Sequence, residues 1–304
     1  MSILAVGTVA FDALETPFGK TDKIVGGACT YISLAASYLT SPTKIVSVVG
    51  DDFPSEKIAF LESRGVVTEG LQIKEGEKTF FWSGKYHLDM NTRDTIETQL
   101  NVLENFVPVV PDSYQDCDFL MLGNLTPSVQ LDVINQMNTR PKLIVLDTMN
   151  FWMEIALDDL KETIKNVDLL TINDEEARLL SGEYSLVKAA RKILEMGPST
   201  LIIKKGEHGA LLFDNENMFY APALPLEEVF DPTGAGDTFA GGFIGYLDKT
   251  KDISFENMKR AVIMGSALAS FTVEKFGTER LEELTQDEIN NRVAQFSDLV
   301  EFSF

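Results

Sequence analysis

The sequence predicts an α/β fold in which a mainly parallel central sheet is flanked by helices on both faces. Short runs such as SILAVG (2–7), KIVSVVG (44–50) and KLIVLD (142–147) are apolar almost throughout, as strands buried on both faces must be. Segments with helix start signals lie between such runs, so successive strands are joined by crossovers and pair in parallel. With 304 residues, 44% hydrophobic and 24% charged, the chain has the make-up of one large globular domain spanning 1–304.

In order along the chain, the strand at 2–7 leads into an extended segment, 11–24, and then into Gly26-Gly27 and a helix, ACTYISLAASYL. The uncharged stretch Ile24 to Thr43 is rich in Gly, Ser and Thr. A bilayer span needs about 20 predominantly apolar residues, so this stretch reads as a buried helix after a glycine turn. After the strand at 44–50, Pro54 precedes the helix SEKIAFLESR. The segment 77–98 is aromatic and polar by turns and reads as a hairpin centred on Ser83-Gly84 with a solvated face. Segments 11–24 and 77–98 together predict a small β lid outside the main sheet. Further strands are expected at 118–124, 168–173, 200–206 and 210–214, and Thr126-Pro127 marks a helix start. The C-terminal part is mostly helical, over 235–248, 255–275 and 285–296, the last opened by the capping-box pair Thr285 and Glu288.

Charge narrows the function. With 26 Lys+Arg against 47 Asp+Glu the net charge is −21, which disfavours nucleic-acid binding. It leaves a small anionic ligand open, because surface fields fade over about 8 Å at physiological salt. Cys29 and Cys117 are the only cysteines, far apart and in no metal-like spacing, as suits a reduced cytoplasmic protein. The N-terminus has no basic residue before Lys20, so no signal peptide and no membrane attachment are expected.

The stretch that carries chemistry is VFDPTGAGDTFAGG, Val229 to Gly242. A turn at Asp231-Pro232-Thr233 delivers Gly234, Ala235 and Gly236 to the start of a helix. Orphan N–H donors and the helix dipole make such a start an anion site. Asp237 then sits in the first helical turn, where the dipole favours its ionised, proton-accepting form. An anion hole beside a carboxylate is what phosphoryl transfer to an alcohol requires.

That run resembles the C-terminal signature of the ribokinase-like (PfkB) carbohydrate kinases, and landmarks in family order extend the resemblance over the whole length. It implies a ribokinase-like fold, ATP and Mg2+ as cofactors, and Asp237 as catalytic base, with Gly234, Ala235 and Gly236 forming the anion hole. Asp12, Gly26 and Gly27 match the landmarks that bind the acceptor sugar, and Asp12 suits neighbouring hydroxyls because a carboxylate accepts two hydrogen bonds. Asn173 and Glu176 match an Asn-x-x-Glu motif linked to magnesium and phosphate, yet the same spacing is a plain capping box. Lys205, Gly206 and Gly209 resemble the turn beside the nucleotide, and equally suit a tight turn into the next strand. The resemblance also allows monovalent-cation activation near the Asp231 loop.

Two departures concern the acceptor. Tyr31 stands where the family has an asparagine after Gly-Gly, and Ala10 stands where the early motif has another. Tyr31 offers a phenolic hydroxyl or a stacking face, or packs in the core. Other motifs do not hold. Gly19-Lys20-Thr21 lacks its P-loop glycine at Leu14, and Phe239 spoils a dinucleotide fingerprint. His87 and His208 read as surface residues. Phe80, Trp82 and Tyr86 line the lid or pack against the lid of a second copy, which makes a homodimer the expected assembly. The expected activity is therefore transfer of the γ-phosphoryl group of ATP to a hydroxyl of a small sugar or sugar-like molecule. The alternatives are a nucleoside kinase on the same fold and a non-catalytic nucleotide or metabolite sensor.

Overall fold

Residues 2–301 are described here from a computed structural model. In chain order the strands are β1 (Ile3–Val6), β2 (Ala10–Thr16), β3 (Gly19–Lys20), β4 (Ile24–Gly26), β5 (Thr43–Gly50), β6 (Val66–Lys74) and β7 (Phe81–Tyr86). They continue as β8 (Arg93–Gln99), β9 (Phe119–Leu122), β10 (Leu143–Asp147), β11 (Leu169–Asn173), β12 (Thr200–Lys204), β13 (Ala210–Phe213) and β14 (Met218–Ala221). The helices are α1 (Ala28–Ser37), α2 (Ser55–Ser63), α3 (Pro127–Asn135), α4 (Asn150–Ile155), α5 (Leu157–Ile164) and α6 (Asp174–Ser181). They end with α7 (Leu186–Leu194), α8 (Ala235–Thr250), α9 (Phe255–Thr272), α10 (Glu279–Glu283) and α11 (Gln286–Val300).

Among the described residues nine strands form one sheet, in the order β14-β13-β12-β11-β10-β9-β1-β5-β6. Every pair from β12 through β6 is parallel, and β13 and β14 are antiparallel additions at one edge. β1, β9 and β10 are buried along their whole length, which explains their unbroken apolar sequences. One hydrophobic core, on the side of α1, α8 and α9, contains Ile32, Phe243 and Leu268. The other, on the side of α5 and α7, contains Leu160 and Ile193. The chain runs outward from β1 through β5 to β6, then returns to β9 on the other side of β1 and continues to β12. Reversal of this kind opens a ligand crevice at the carboxyl ends of the strands.

α1 and α8 pack closely because α8 carries glycine at the contact. A Cβ on Gly241 would lie 2.4 Å from the Ile32 carbonyl oxygen. Overpacking of this kind costs about 1–3 kcal/mol, so Gly241→Val is expected to lower the melting temperature by roughly 2–10 °C. An unchanged thermal unfolding curve would show that the two helices are not seated this way.

A second, five-stranded sheet is built from the two segments read as extended, in the order β3-β2-β7-β8 with β4 also paired to β2. Its turn is not at Ser83-Gly84. Both residues lie inside β7, and the chain reverses at His87–Thr92, where Asp89 Oδ1 accepts from the Asn91 and Thr92 amides at 3.1 and 2.9 Å. Gly84 instead makes room for a neighbour, since a Cβ there would meet the Trp82 ring at 2.2 Å, beside a register shift at Ser83/Gly84. The strand expected over 200–206 ends at Lys204, because Lys205 to Gly209 form the turn into β13. β6 and β14 are strands that periodicity did not mark. His87 and His208 are both exposed.

Candidate active site

Three neighbouring strands deliver polar side chains to the carboxyl edge of the main sheet. β10 ends at Asp147, β11 at Asn173 and β12 at Lys204, with Asn173 in register with Lys204. The Lys204 ammonium reaches across β11 and donates to both Asp147 oxygens, at 3.0 and 3.2 Å. Asn173 caps α6 by a complete capping box: its Oδ1 accepts from the Glu176 amide, and Glu176 Oε2 accepts from the Asn173 amide, each at 2.8 Å. Burial pushes the Glu176 carboxyl up to about 7, against the pull of Lys204 and helped by the charge of Asp147.

α8 starts at the same edge. Its N-cap, Gly234, has φ 76°, the left-handed region that turns the chain into the helix without a Cβ penalty. The Ala235 N–H donates to the Pro232 carbonyl at 3.2 Å, and the Thr238 N–H to Gly234 at 2.8 Å. No side chain among the described residues caps this end. Among the described residues the N–H groups of Gly236 and Asp237 have no acceptor, which leaves two donors aimed out of the helix. The turn ahead of them is braced by buried Asp231, whose oxygens accept from the amides of Thr233 at 2.8 Å and Gly277 at 2.9 Å.

Asp237 lies in this first turn, but its electrostatics differ from those its helix position suggests. Burial pushes its carboxyl up to about 7, the charge of Asp147 adds to the rise, and Lys204 and Arg93 oppose it. Desolvation therefore outweighs the helix dipole, and the group is poised near neutrality instead of being firmly ionised.

The acceptor candidates converge on the same place. Pairing of β2 with β4 sets Ala10 opposite Gly26 and Asp12 opposite Ile24. The Asp12 carboxylate accepts from the Gly27 amide, and burial, followed by the charges of Asp231 and Asp237, lifts its pKa to about 7. Tyr31, on the first turns of α1, is 1% exposed, and its hydroxyl has no hydrogen-bond partner among the described residues. Its ring fills the space beside Gly234, where a Cβ would lie 2.4 Å from the ring carbons. Burial, then Asp231, Asp12 and Asp237, keep its phenol protonated.

The second sheet touches this region at two points. Tyr86, buried at the end of β7, exchanges a hydrogen bond with Thr233 at 3.0 Å. The reversal at its tip brings Asn91 Oδ1 to 2.6 Å from where a Cβ on Gly206 would lie. Lys205, Gly206 and Gly209 form the turn closing that end, with φ 53° at Gly206 and 80° at Gly209.

The structure thus brings Asp12, Gly26, Gly27, Tyr31, Asn173, Glu176 and the Gly234–Asp237 turn into one neighbourhood at the carboxyl edge of the sheet, with the 205–209 turn against the tip of the second sheet. It also adds residues that motif reading missed, Asp147, Lys204 and Arg93, and gives Thr233 of the signature turn a partner in Tyr86. The only signal for the first pair was that each closes an apolar strand at the carboxyl edge.

Several known proteins are similar to this chain along most of its length. A cytidine kinase of Thermococcus kodakarensis is 28% identical over 91% of this chain and 98% of its own. A ribokinase of Staphylococcus aureus is 32% identical over 86% of this chain and 87% of its own. A ribokinase-type protein of Escherichia coli, solved in complex with ATP and Mg2+, shares the fold with a TM-score of 0.78. It is 22% identical and the alignment covers 97% of this chain and 99% of that one. The pfkB family carbohydrate kinase pattern matches residues 5–284, so the chain belongs to the pfkB family of carbohydrate kinases.

Proposed function

We propose that this kinase transfers the terminal phosphoryl group of ATP to a hydroxyl of a ribose-bearing acceptor. The observation that carries the reading is the pair of uncommitted amides, Gly236 and Asp237, at the uncapped start of α8 beside a carboxylate. Those amides, with the helix dipole behind them, fit the terminal phosphate of a nucleotide. Asp237 accepts the proton of the attacking hydroxyl, and Asp12 with Gly26-Gly27 orients the acceptor. The Lys205–Gly209 turn lines the nucleotide side, and the second sheet closes as a lid that keeps water from competing as acceptor.

The residues present also fit Mg2+. Among the described residues no three His, Cys, Asp or Glu side chains form a metal cage. That suits a cation held mainly by phosphate and water with one carboxylate behind it. Glu176 spends Oε2 on the cap and keeps its other oxygen for that role. When bound, Mg2+ supplies neutralisation of the charge on the transferring phosphoryl group.

A nucleoside acceptor is supported by likeness to the cytidine kinase of Thermococcus kodakarensis and to a nucleoside kinase of Methanothermobacter thermautotrophicus, 26% identical over 97% of this chain. Tyr31 does not add a stacking face, because its ring is buried in the core beside Gly234. ADP release measured across a panel of nucleosides and pentoses tests this. Turnover confined to free sugars would overturn the nucleoside preference, and silence across the panel with ATP still bound would overturn the transfer itself.

The pH profile follows from Asp237. The base must be ionised, so kcat/KM falls as pH drops through about 7, the value to which burial lifts Asp237. Asp12, also lifted to about 7, titrates in the same range, so the limb belongs to the coupled pair. A flat profile from pH 5 to 8 contradicts this.

A further inference from the structure

Lys204 has no part in the chemistry described so far, yet it is placed as if it had. Its ammonium pairs with Asp147, and the charges of Asp147, Glu176 and Asp237 hold it protonated against the pull of burial. Asp147 takes two of its hydrogen bonds, and among the described residues no other acceptor lies within reach. An ammonium has three donors. Gly236, in the first turn of α8, stands next to it, since a Cβ there would lie 3.2 Å from Nζ. A pair that served only to tie β10 to β12 would not need to stand against that turn. Here glycine puts no side chain between the ammonium and the first turn of α8, whose Gly236 and Asp237 N–H groups are uncommitted.

We propose that Lys204 is a catalytic residue, the cationic wall of the phosphate cradle, donating a hydrogen bond to a non-bridging oxygen of the transferring phosphoryl group. This assignment rests on the phosphotransfer reading above. In the step, the acceptor oxygen forms a bond to phosphorus as the bond from phosphorus to the leaving oxygen of ADP breaks. The bonding pair leaves on ADP, and the acceptor proton passes to Asp237. Lys204 keeps its own proton throughout and meets charge that grows between donor and acceptor. Asp147 acts through it as a positioning residue, fixing the ammonium by two contacts. A pre-placed donor of this kind needs no reorganisation at the moment of transfer.

The test is Lys204→Met in the full chain. The expected result is a loss of about 10²–10³ in kcat, the effect of removing one oxyanion donor. ATP binding should weaken about tenfold while adenosine binding stays as it was, because only phosphates meet the ammonium. Lys204→Arg, which keeps the charge, should recover part of the lost kcat. A folded Lys204→Met enzyme that retains the original kcat, or that loses ATP and adenosine binding equally, overturns the assignment. A measurement on the unaltered enzyme decides the matter if the variants do not fold. Labelling of Lys204 by pyridoxal 5′-phosphate and borohydride, mapped by mass spectrometry, should be slowed by ATP and not by adenosine. Equal labelling under both overturns the proposal. Turnover of the unaltered enzyme on the acceptor panel keeps the two claims apart: if it is absent, the phosphotransfer reading falls; if it is present and Lys204→Met matches it, only Lys204 falls.

Discussion

Asp237→Asn is expected to lower kcat by about 10²–10⁴, the usual contribution of a general base, while leaving ATP binding largely intact. The amide keeps the shape of the carboxylate and the N–H donors of α8, so phosphate binding survives and only the proton acceptor is lost. The same substitution should make the nucleotide-free protein more stable. Burial lifts the folded-state pKa of Asp237 from 3.8 to about 7. Between those values the folded state binds more protons than the unfolded state, so stability falls as pH rises through the window. At pH 8 the penalty is fully present, and Asn removes it. A rise of roughly 2–4 °C in melting temperature corresponds to about 1 kcal/mol in a chain of this size. Opposite movement of turnover and stability marks a group whose burial serves chemistry. A variant with full turnover, or one whose melting temperature drops, contradicts the role given to Asp237.

Gly234→Ala should damage the same site by a different route. The residue sits at φ 76°, where a side chain costs roughly 1–2 kcal/mol. Its Cβ would also lie 2.4 Å from the Tyr31 ring. Tyr31 is buried against it and cannot withdraw without moving α1, so the start of α8 must shift. A displacement of about 1 Å in a reacting group costs on the order of 10²-fold in rate. The expected outcome is a kcat loss of at least that size, with KM for ATP raised as the amides lose their aim. Adding Tyr31→Ala relieves the collision and leaves the backbone strain, so recovery should be partial. Unimpaired turnover in Gly234→Ala would mean that this turn does not aim the cradle.

How much of this was legible in the sequence depends on whether the cause was local. β1, β9 and β10 were readable because burial on both faces imposes an unbroken apolar run. The start of α8 was readable because only a few residue types permit a left-handed N-cap followed by open amides. β6 was hidden: Val66–Lys74 is half-exposed at the sheet edge, interrupted by Glu69 and Gly70, and its register with β5 shifts. Gly84 misled because its small size serves the Trp82 ring in mid-strand, whereas the true reversal is organised by Asp89. Lys204 and Asp147 are 57 residues apart, and only strand order places them side by side. The ionisation of Asp237 was misjudged because the helix dipole can be read from position, while desolvation depends on everything packed around the group.

The most direct measurement is a crystal structure of the enzyme with Mg2+, a non-hydrolysable ATP analogue and an acceptor nucleoside. The account predicts the terminal phosphate within about 3 Å of the Gly236 and Asp237 amide nitrogens, with the acceptor hydroxyl hydrogen-bonded to the Asp237 carboxylate. A terminal phosphate seated away from the start of α8, with Asp237 touching neither ligand, would contradict it.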